Sequence, residues 1–449
     1  MKRVVSILAL VLFVSFFVSP SFAATQKEWT YMVYINGNNN LSSYGVKNQN
    51  EMAKVGSNDF LNIVTLLAQS GKDTVLNYVE KNHVTQLKNY GRPDMGDYKQ
   101  LVSFFKDIAT QYPAKHYALI IWNHGSGWKN VGSEIIKGIS YDDASGNHIT
   151  TAQLGTAMGQ IKQFLGRNLD IVGMDACLMA MMEVAYVLRG SVDYMVGSEE
   201  TEPGDGYPYD KILSPLTAQT SVEDFTKVWV KAYADSFNGG SHGNYPSTQS
   251  SINIAKLDAL KDAIDGFAKT VMAGSFAPQF KTALGTVQHF YYSTNIDLLN
   301  LLALLKGSIN DAGFLTAANK LEAAVKDAVV ANGTSQASMA NACGLAIYFP
   351  TTSTSFDAAY KQLAFATDCQ WMQMVQDFYV KTTAPTIIAD VEAGNVNSLV
   401  DYAKTANENN REVTNALIAQ LNFRVFAEGG LDASVQDNVK SLVTELRNK

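Results

Sequence analysis

Two short apolar runs, residues 169–174, interrupted only by Asp170, and the continuous 117–122, dominate the polarity pattern of this 449-residue chain. Each is shorter than an ordinary helix and shows no apolar/polar alternation, so each predicts a strand buried on both faces of a parallel sheet. Residues 29–35 and 62–67 predict two more strands with a helix between them. Residues 98–112 have the spacing of an amphipathic helix ended by Pro113, which feeds the 117–122 strand through Lys115 and completes a βαβ unit. From Leu178 an apolar helical run continues to Gly190, and 194–198 reads as a further strand. Between 221 and 380, helical patterns at 222–237 and 257–272 alternate with strand-like 251–255 and 344–349, which are expected to extend and cover the sheet. Three helical segments follow, at 387–405, 413–427 and 435–446, separated by Asn-rich and Gly-rich turns. The pattern predicts an α/β fold, a mostly parallel sheet flanked by helices, with a small C-terminal helical appendage over 384–449.

The chemistry gathers at the ends of the two buried runs. Asp175, Ala176 and Cys177 lie between the 169–174 strand and the helical run that follows. A thiol there lies beside backbone N–H groups and the positive end of a helix dipole, which favour a thiolate. The plainer alternative is a core cysteine, since free cysteines are often buried and methionines surround this one. At the end of the other run stand Asn123, His124, Gly125, Ser126 and Gly127. Glycines let backbone approach a ligand closely, and ligands of parallel sheets bind outside the carboxyl ends of the strands. If the two strands are neighbours, His124 and Cys177 end on one edge.

Several segments together carry a family resemblance: WTYMVYINGNNNL (29–41), ALIIWNHGSGW (118–128), GISYDDASGNHIT (138–150), DIVGMDACLMAMMEVAY (170–186) and MVGSEETEPGDGYPYDKIL (195–213). In order and spacing, and with the later GLAIYFP run, they resemble the clostripain family of cysteine peptidases, relatives of caspases and gingipains, over roughly residues 29–380. The histidine stands 177 − 124 = 53 residues upstream of the cysteine, close to the roughly 50 of the caspase pattern. The resemblance implies a caspase-like α/β domain over 24–383, a His124/Cys177 dyad and cleavage after Arg or Lys. Backbone N–H groups of Gly125 and Cys177 are then the expected oxyanion donors. By position, Asp175 and Asp205 match the family acids of the S1 pocket, where a carboxylate pairs with Arg or Lys; the plainer role for such an aspartate is a helix cap. Glu199, Glu200 and Glu202 read as a solvated face. Family members are often cut between histidine and cysteine, which singles out Lys137-Gly138 for self-processing.

Other features bound the reading. Lys2 and Arg3, an apolar stretch over 4–18 and Ser21-Phe22-Ala23 form an expected signal peptide, residues 1–23, cut before Ala24. The apolar stretch is short for a bilayer span, so a secreted or periplasmic protein with no membrane anchor after cleavage is expected. Net charge is −7, and −9 without Lys2 and Arg3 (33 − 42). An acidic chain without a basic stripe argues against a nucleic-acid partner and suits cationic protein or peptide substrates. A monomer is expected. Three cysteines leave room for a 343–369 bridge with Cys177 free. No cofactor is expected. Relatives tend to carry aspartates in the turn where this chain has Asn36, Gly37, Asn38, Asn39 and Asn40, and neutral amides do not support calcium there. Residues 141–147 read as an Asx-rich turn before a helix starting near Thr150; an EF-hand fails at His148 and Leu154. Neither HExxH nor G-x-S-x-G occurs, so Ser126 reads as a turn residue. The competing function is a catalytically inactive exported binding or adhesion protein with the same fold.

Overall fold

The computed structural model describes residues 26–128, 138–407, 410–422 and 432–449. The expected signal peptide and Lys137 lie outside the described residues. In chain order the first half contains β1 (Lys27–Gly37), α1 (Ser42–Val55), β2 (Leu61–Gln69), β3 (Val75–Glu80), β4 (His83–Asn89), α2 (Tyr98–Gln111) and β5 (Ala114–Trp122). It continues with β6 (Ile139–Asp142), β7 (Asn147–Ile149), α3 (Thr151–Leu165), β8 (Leu169–Asp175), α4 (Met182–Tyr186), β9 (Val192–Gly197), α5 (Tyr209–Leu213) and α6 (Val222–Phe237).

Among the described residues, nine strands form the central sheet. From one edge the order is Val329–Ser335, Ser247–Asn253, β9, β8, β5, β1, β2, β3, β4. Strands β9, β8, β5, β1 and β2 run parallel, and the remaining pairings are antiparallel. Apolar side chains of β1 divide between two cores: Met32 and Tyr34 face one, and Tyr31, Val33 and Ile35 the other. Burial on both faces is why the central strands read as nearly continuous apolar runs rather than alternating ones. Register sets the functional edge, because Trp122 pairs with both Ile35 and Asp175. The residues after β1, β5, β8 and β9 therefore emerge together.

Three expectations change here. The helix expected from Leu178 begins only at Met182 and has five residues. The intervening backbone bonds mainly to other segments: the Leu178 N–H donates to the Glu200 carbonyl (3.1 Å), the Ala180 N–H to that of Ser198 (2.8 Å), and the Ala346 N–H to that of Ala180 (2.9 Å). Leu178 itself is left-handed, at φ 65°, a conformation costing an L-residue about 1–2 kcal/mol. Cys177 thus sits on a sharp turn. Second, Cys343 and Cys369 are both free; Cys369 is buried near the Lys261 carbonyl and Cys343 lies beside Asp297. Third, Ala346–Tyr348 does not join the central sheet: it pairs with Asn295–Asp297 as a separate two-stranded sheet and makes a single bridge from Ala346 to Met181.

In the C-terminal region, helix Trp371–Glu392 runs through Pro385 and so crosses the expected boundary at 383/384. Gly394, at φ 82°, breaks the expected 387–405 segment and lets Asn397–Thr405 start separately. Helices Arg411–Leu421 and Ala433–Arg447 follow. No helix among the described residues is long and apolar enough to cross a membrane.

Candidate active site

Asn123 fixes the tip of β5. Its amide donates to the carbonyls of Asn36 (2.5 Å) and Tyr141 (3.0 Å), while its oxygen accepts from the Tyr141 N–H (2.7 Å). The tip of β1 and the β6–β7 hairpin are thereby clipped to β5. The hairpin is held in turn by Asp142, which accepts from Asn38 Nδ2 (2.7 Å) and from the N–H groups of Ala144 and Met95 (both 2.9 Å). This Asx turn leads into Thr150, whose side chain forms a capping box with Gln153 at the start of α3. The asparagine-rich turn after β1 is therefore a structural lock. Among the described residues, no three His, Cys, Asp or Glu side chains converge as metal ligands.

His124 and Cys177 come together at this edge. Both line one cavity of about 180 Å³, together with Leu41, Trp122, Asp175 and Glu202. His124 Nε2 is 2.7 Å from Asn40 Oδ1. An amide oxygen only accepts, so this contact holds the proton on Nε2 and leaves Nδ1 as the basic nitrogen. Burial pulls the His124 pKa below 6.5, partly opposed by Asp143. Burial likewise pushes the Cys177 thiol above its usual value, against the lowering effect of N–H groups of Glu202, Cys177 and Gly125. At neutral pH both shifts favour a neutral thiol and a neutral imidazole. The thiolate expected from a helix dipole is not favoured, because α4 starts five residues on and the sulfur is largely desolvated. Gly125 could hold no side chain: a Cβ there would stand 2.4 Å from the Cys177 carbonyl oxygen.

The two expected pocket acids differ. Asp175 is 4% exposed and lines the cavity. It accepts from the Tyr209 hydroxyl (2.7 Å) and the Tyr207 N–H (3.2 Å). Burial raises its pKa to about 6. Gly206, at φ 64°, makes room, since a Cβ there would come within 2.9 Å of Asp175 Oδ1. Asp205 instead pairs with Lys47 at 2.5 Å and lines a neighbouring cleft of about 500 Å³ with Tyr44 and Tyr245. The neighbouring acids are not a solvated face. Glu199 is buried and accepts from the Gly344 N–H (2.9 Å), and Glu200 is buried and accepts from the Tyr291 N–H (3.1 Å). The Glu202 carboxylate is buried with no hydrogen-bond partner, and its N–H donates to Cys177 Sγ at 3.3 Å.

Sequence reasoning therefore missed Asn40 and Glu202. The tip of β1 beside the tip of β5 was signal enough for Asn40. Nothing in the polarity of Glu-Glu-Thr-Glu distinguishes a buried acid from a solvated one. Replacing Asn40 with alanine is expected to lower kcat about 5- to 10-fold with little change in KM, the worth of roughly one neutral hydrogen bond. Steady-state kinetics test this, and an unchanged kcat would remove Asn40 from the site.

A desolvated thiol and an imidazole thus lie at the carboxyl ends of adjacent parallel strands, an arrangement that a cysteine peptidase can use. The model of the clostripain family, Peptidase_C11, matches residues 33–417. The chain belongs to the clostripain family. Clostripain of Hathewaya histolytica is 27% identical over 295 residues, 53% of this chain and 55% of that protein. The chain thus spans about half the length of that curated relative. A secreted C11 cysteine protease from Bacteroides thetaiotaomicron, solved with an irreversible peptide inhibitor, superposes with a TM-score of 0.59 at 22% identity, covering 77% of this chain and 99% of its own. An inactive zymogen C11 protease from Parabacteroides distasonis gives 0.56 at 21%, with the same coverage. At these identities the two structures establish the shared fold.

Proposed function

We propose that this protein is an exported cysteine endopeptidase that hydrolyses peptide bonds after Arg or Lys. The observation that carries the reading is one cavity lined by His124, Cys177 and the buried acid Asp175. Cys177 Sγ attacks the scissile carbonyl as its proton passes to His124 Nδ1. N–H groups of Gly125 and Cys177 hold the oxyanion, each worth about 3 kcal/mol in the transition state. The tetrahedral adduct expels the amine, which takes the proton from His124, and leaves a thioester that water hydrolyses. Asp175 attracts the basic side chain. The match to the Hathewaya enzyme and the negative net charge both support a cationic substrate. Export rests on residues 1–23, and self-processing on Lys137 beside Gly138.

A thiol-reactive inhibitor built on an Arg peptide tests the reading. Labelling of Cys177, with cleavage of a peptide library confined to bonds after Arg or Lys, is the expected result. Folded protein that is not labelled would instead support an inactive binding protein. In the same experiment, Lys137→Ala should abolish any nick between His124 and Cys177 on a denaturing gel; a nick that survives would move the processing site elsewhere.

A further inference from the structure

Asp205 already has a cation. Lys47 Nζ lies 2.5 Å from one carboxylate oxygen and also 4.0 Å from Glu51, and Asn48 Nδ2 holds the Asp205 backbone carbonyl at 2.9 Å. Glu202 is in the opposite condition. Both of its carboxyl oxygens are sealed from solvent without a donor, and it lines the cavity that contains Cys177. Its nearest acidic neighbours are Asp175 and Cys177. Desolvation and the closeness of Asp175 hold Glu202 protonated well above the usual carboxyl range. Two carboxylates cannot bond to one another, but with a single proton between them they can, and they then carry one negative charge in a nearly dry pocket.

Such a pair is costly while empty. The shared proton serves at most one oxygen of Glu202, and a buried polar atom left without a donor loses its hydration for nothing, so a ligand that brings N–H donors and positive charge recovers that loss. Guanidinium does this best, having five donors in a planar fork; ammonium brings three. The cavity, at about 180 Å³, equals roughly six water volumes of ~30 Å³, which suits one long side chain and little else. The other titratable groups facing the two acids are Cys177, Tyr209 and Glu51, together with Tyr31, Tyr207 and Tyr233, and His124, uncharged at neutral pH, lines the same cavity, which no Lys or Arg among the described residues lines. None of these is a cation.

We infer that Glu202 is a specificity-determining residue, which with Asp175 receives the basic side chain of the substrate, while Asp205 is reserved for Lys47. The inference rests on the peptidase reading above and deepens it. When the basic side chain enters, the shared proton leaves to solvent and both carboxylates accept from the bound cation. A neutral side chain of the same shape would leave the pair as costly as before.

Paired substrates with arginine or citrulline before the scissile bond test this, because citrulline keeps the shape and lacks the charge. Glu202→Gln is isosteric and relieves repulsion, so it should fold; Cys177 alkylation by iodoacetamide at the wild-type rate checks the dyad. The arginine-to-citrulline ratio of kcat/KM should fall about 10- to 100-fold in Glu202→Gln, the worth of a charge-assisted hydrogen bond. It should fall at least tenfold less in Asp205→Asn. The inhibition constant of benzamidine should rise by a similar factor in Glu202→Gln, a readout of binding independent of turnover. A ratio unchanged in Glu202→Gln, or lost chiefly in Asp205→Asn, overturns the inference and leaves the peptidase reading intact. Wild-type protein that cleaves neither substrate and resists the Arg-derived label overturns both.

Discussion

Replacing Cys177 with alanine should lower kcat about 10⁴-fold or more, and replacing His124 with alanine should do nearly as much on its own. The two groups rest neutral, with the thiol raised and the imidazole lowered by burial. Neither a preformed thiolate nor a preformed imidazolium is stored in the site, so the proton must cross during attack. Removing either partner removes that step, and residues acting as one unit give losses that do not add. The double variant should therefore be within about threefold of the worse single one. On the proposed mechanism, what remains is transition-state binding by the N–H groups of Gly125 and residue 177. The acid limb of kcat/KM reports His124 in the free protein; because its pKa lies below 6.5, activity should persist to lower pH than an ordinary histidine allows. Single-turnover cleavage of a fluorogenic Arg-amide peptide measures all of this. Cys177→Ala retaining activity within tenfold of wild type would place the nucleophile elsewhere.

How far that site could be read from the sequence followed from which forces are local. Burial on both faces leaves a plain mark, and the runs at 117–122 and 169–174 became β5 and β8 within a few residues. Their adjacency put His124 and Cys177 on one edge. The start of α4 left no such mark. Apolar residues suit a helix at 178–181, but carbonyls of Glu200 and Ser198 from a distant loop take the N–H groups of Leu178 and Ala180. Acids behaved similarly. Glu199, Glu200 and Glu202 are alike in sequence, and only the packing of the loop onto the sheet decides that all three lose water. The failed 343–369 bridge has the same origin, since proximity in the chain says nothing of how Lys261 and Asp297 occupy the two thiols' surroundings.

These buried acids should make the protein more stable at pH 5.5 than at pH 7.5. Glu183 is the clearest case: it is 1% exposed, one oxygen accepts from the Tyr348 N–H (3.0 Å) and the Tyr360 hydroxyl (2.8 Å), and the other is buried without a partner. Burial raises its pKa to about 7. Asp175 is raised to about 6, and Glu199, Glu202 and Asp297 are raised as well, each chiefly by burial. A carboxyl whose folded pKa exceeds its unfolded one binds more protons in the native state, so stability falls as pH rises between the two values. For Glu183 that window runs from about 4.5 to about 7, and at about 1.4 kcal/mol per unit its full span is worth roughly 3 kcal/mol. His124 acts in the opposite sense, because a lowered imidazole pKa adds stability as pH rises. The ion-paired Glu223 and Glu322 have lowered values and lose their contribution only in more acid solution. Thermal midpoints at the two pH values should therefore differ by about a few degrees in the wild type. Glu183→Gln should flatten this dependence, because the amide keeps the acceptor for Tyr348 and Tyr360 and carries no proton to release. Equal pH dependence in wild type and Glu183→Gln would mean that Glu183 does not hold its proton in the folded state.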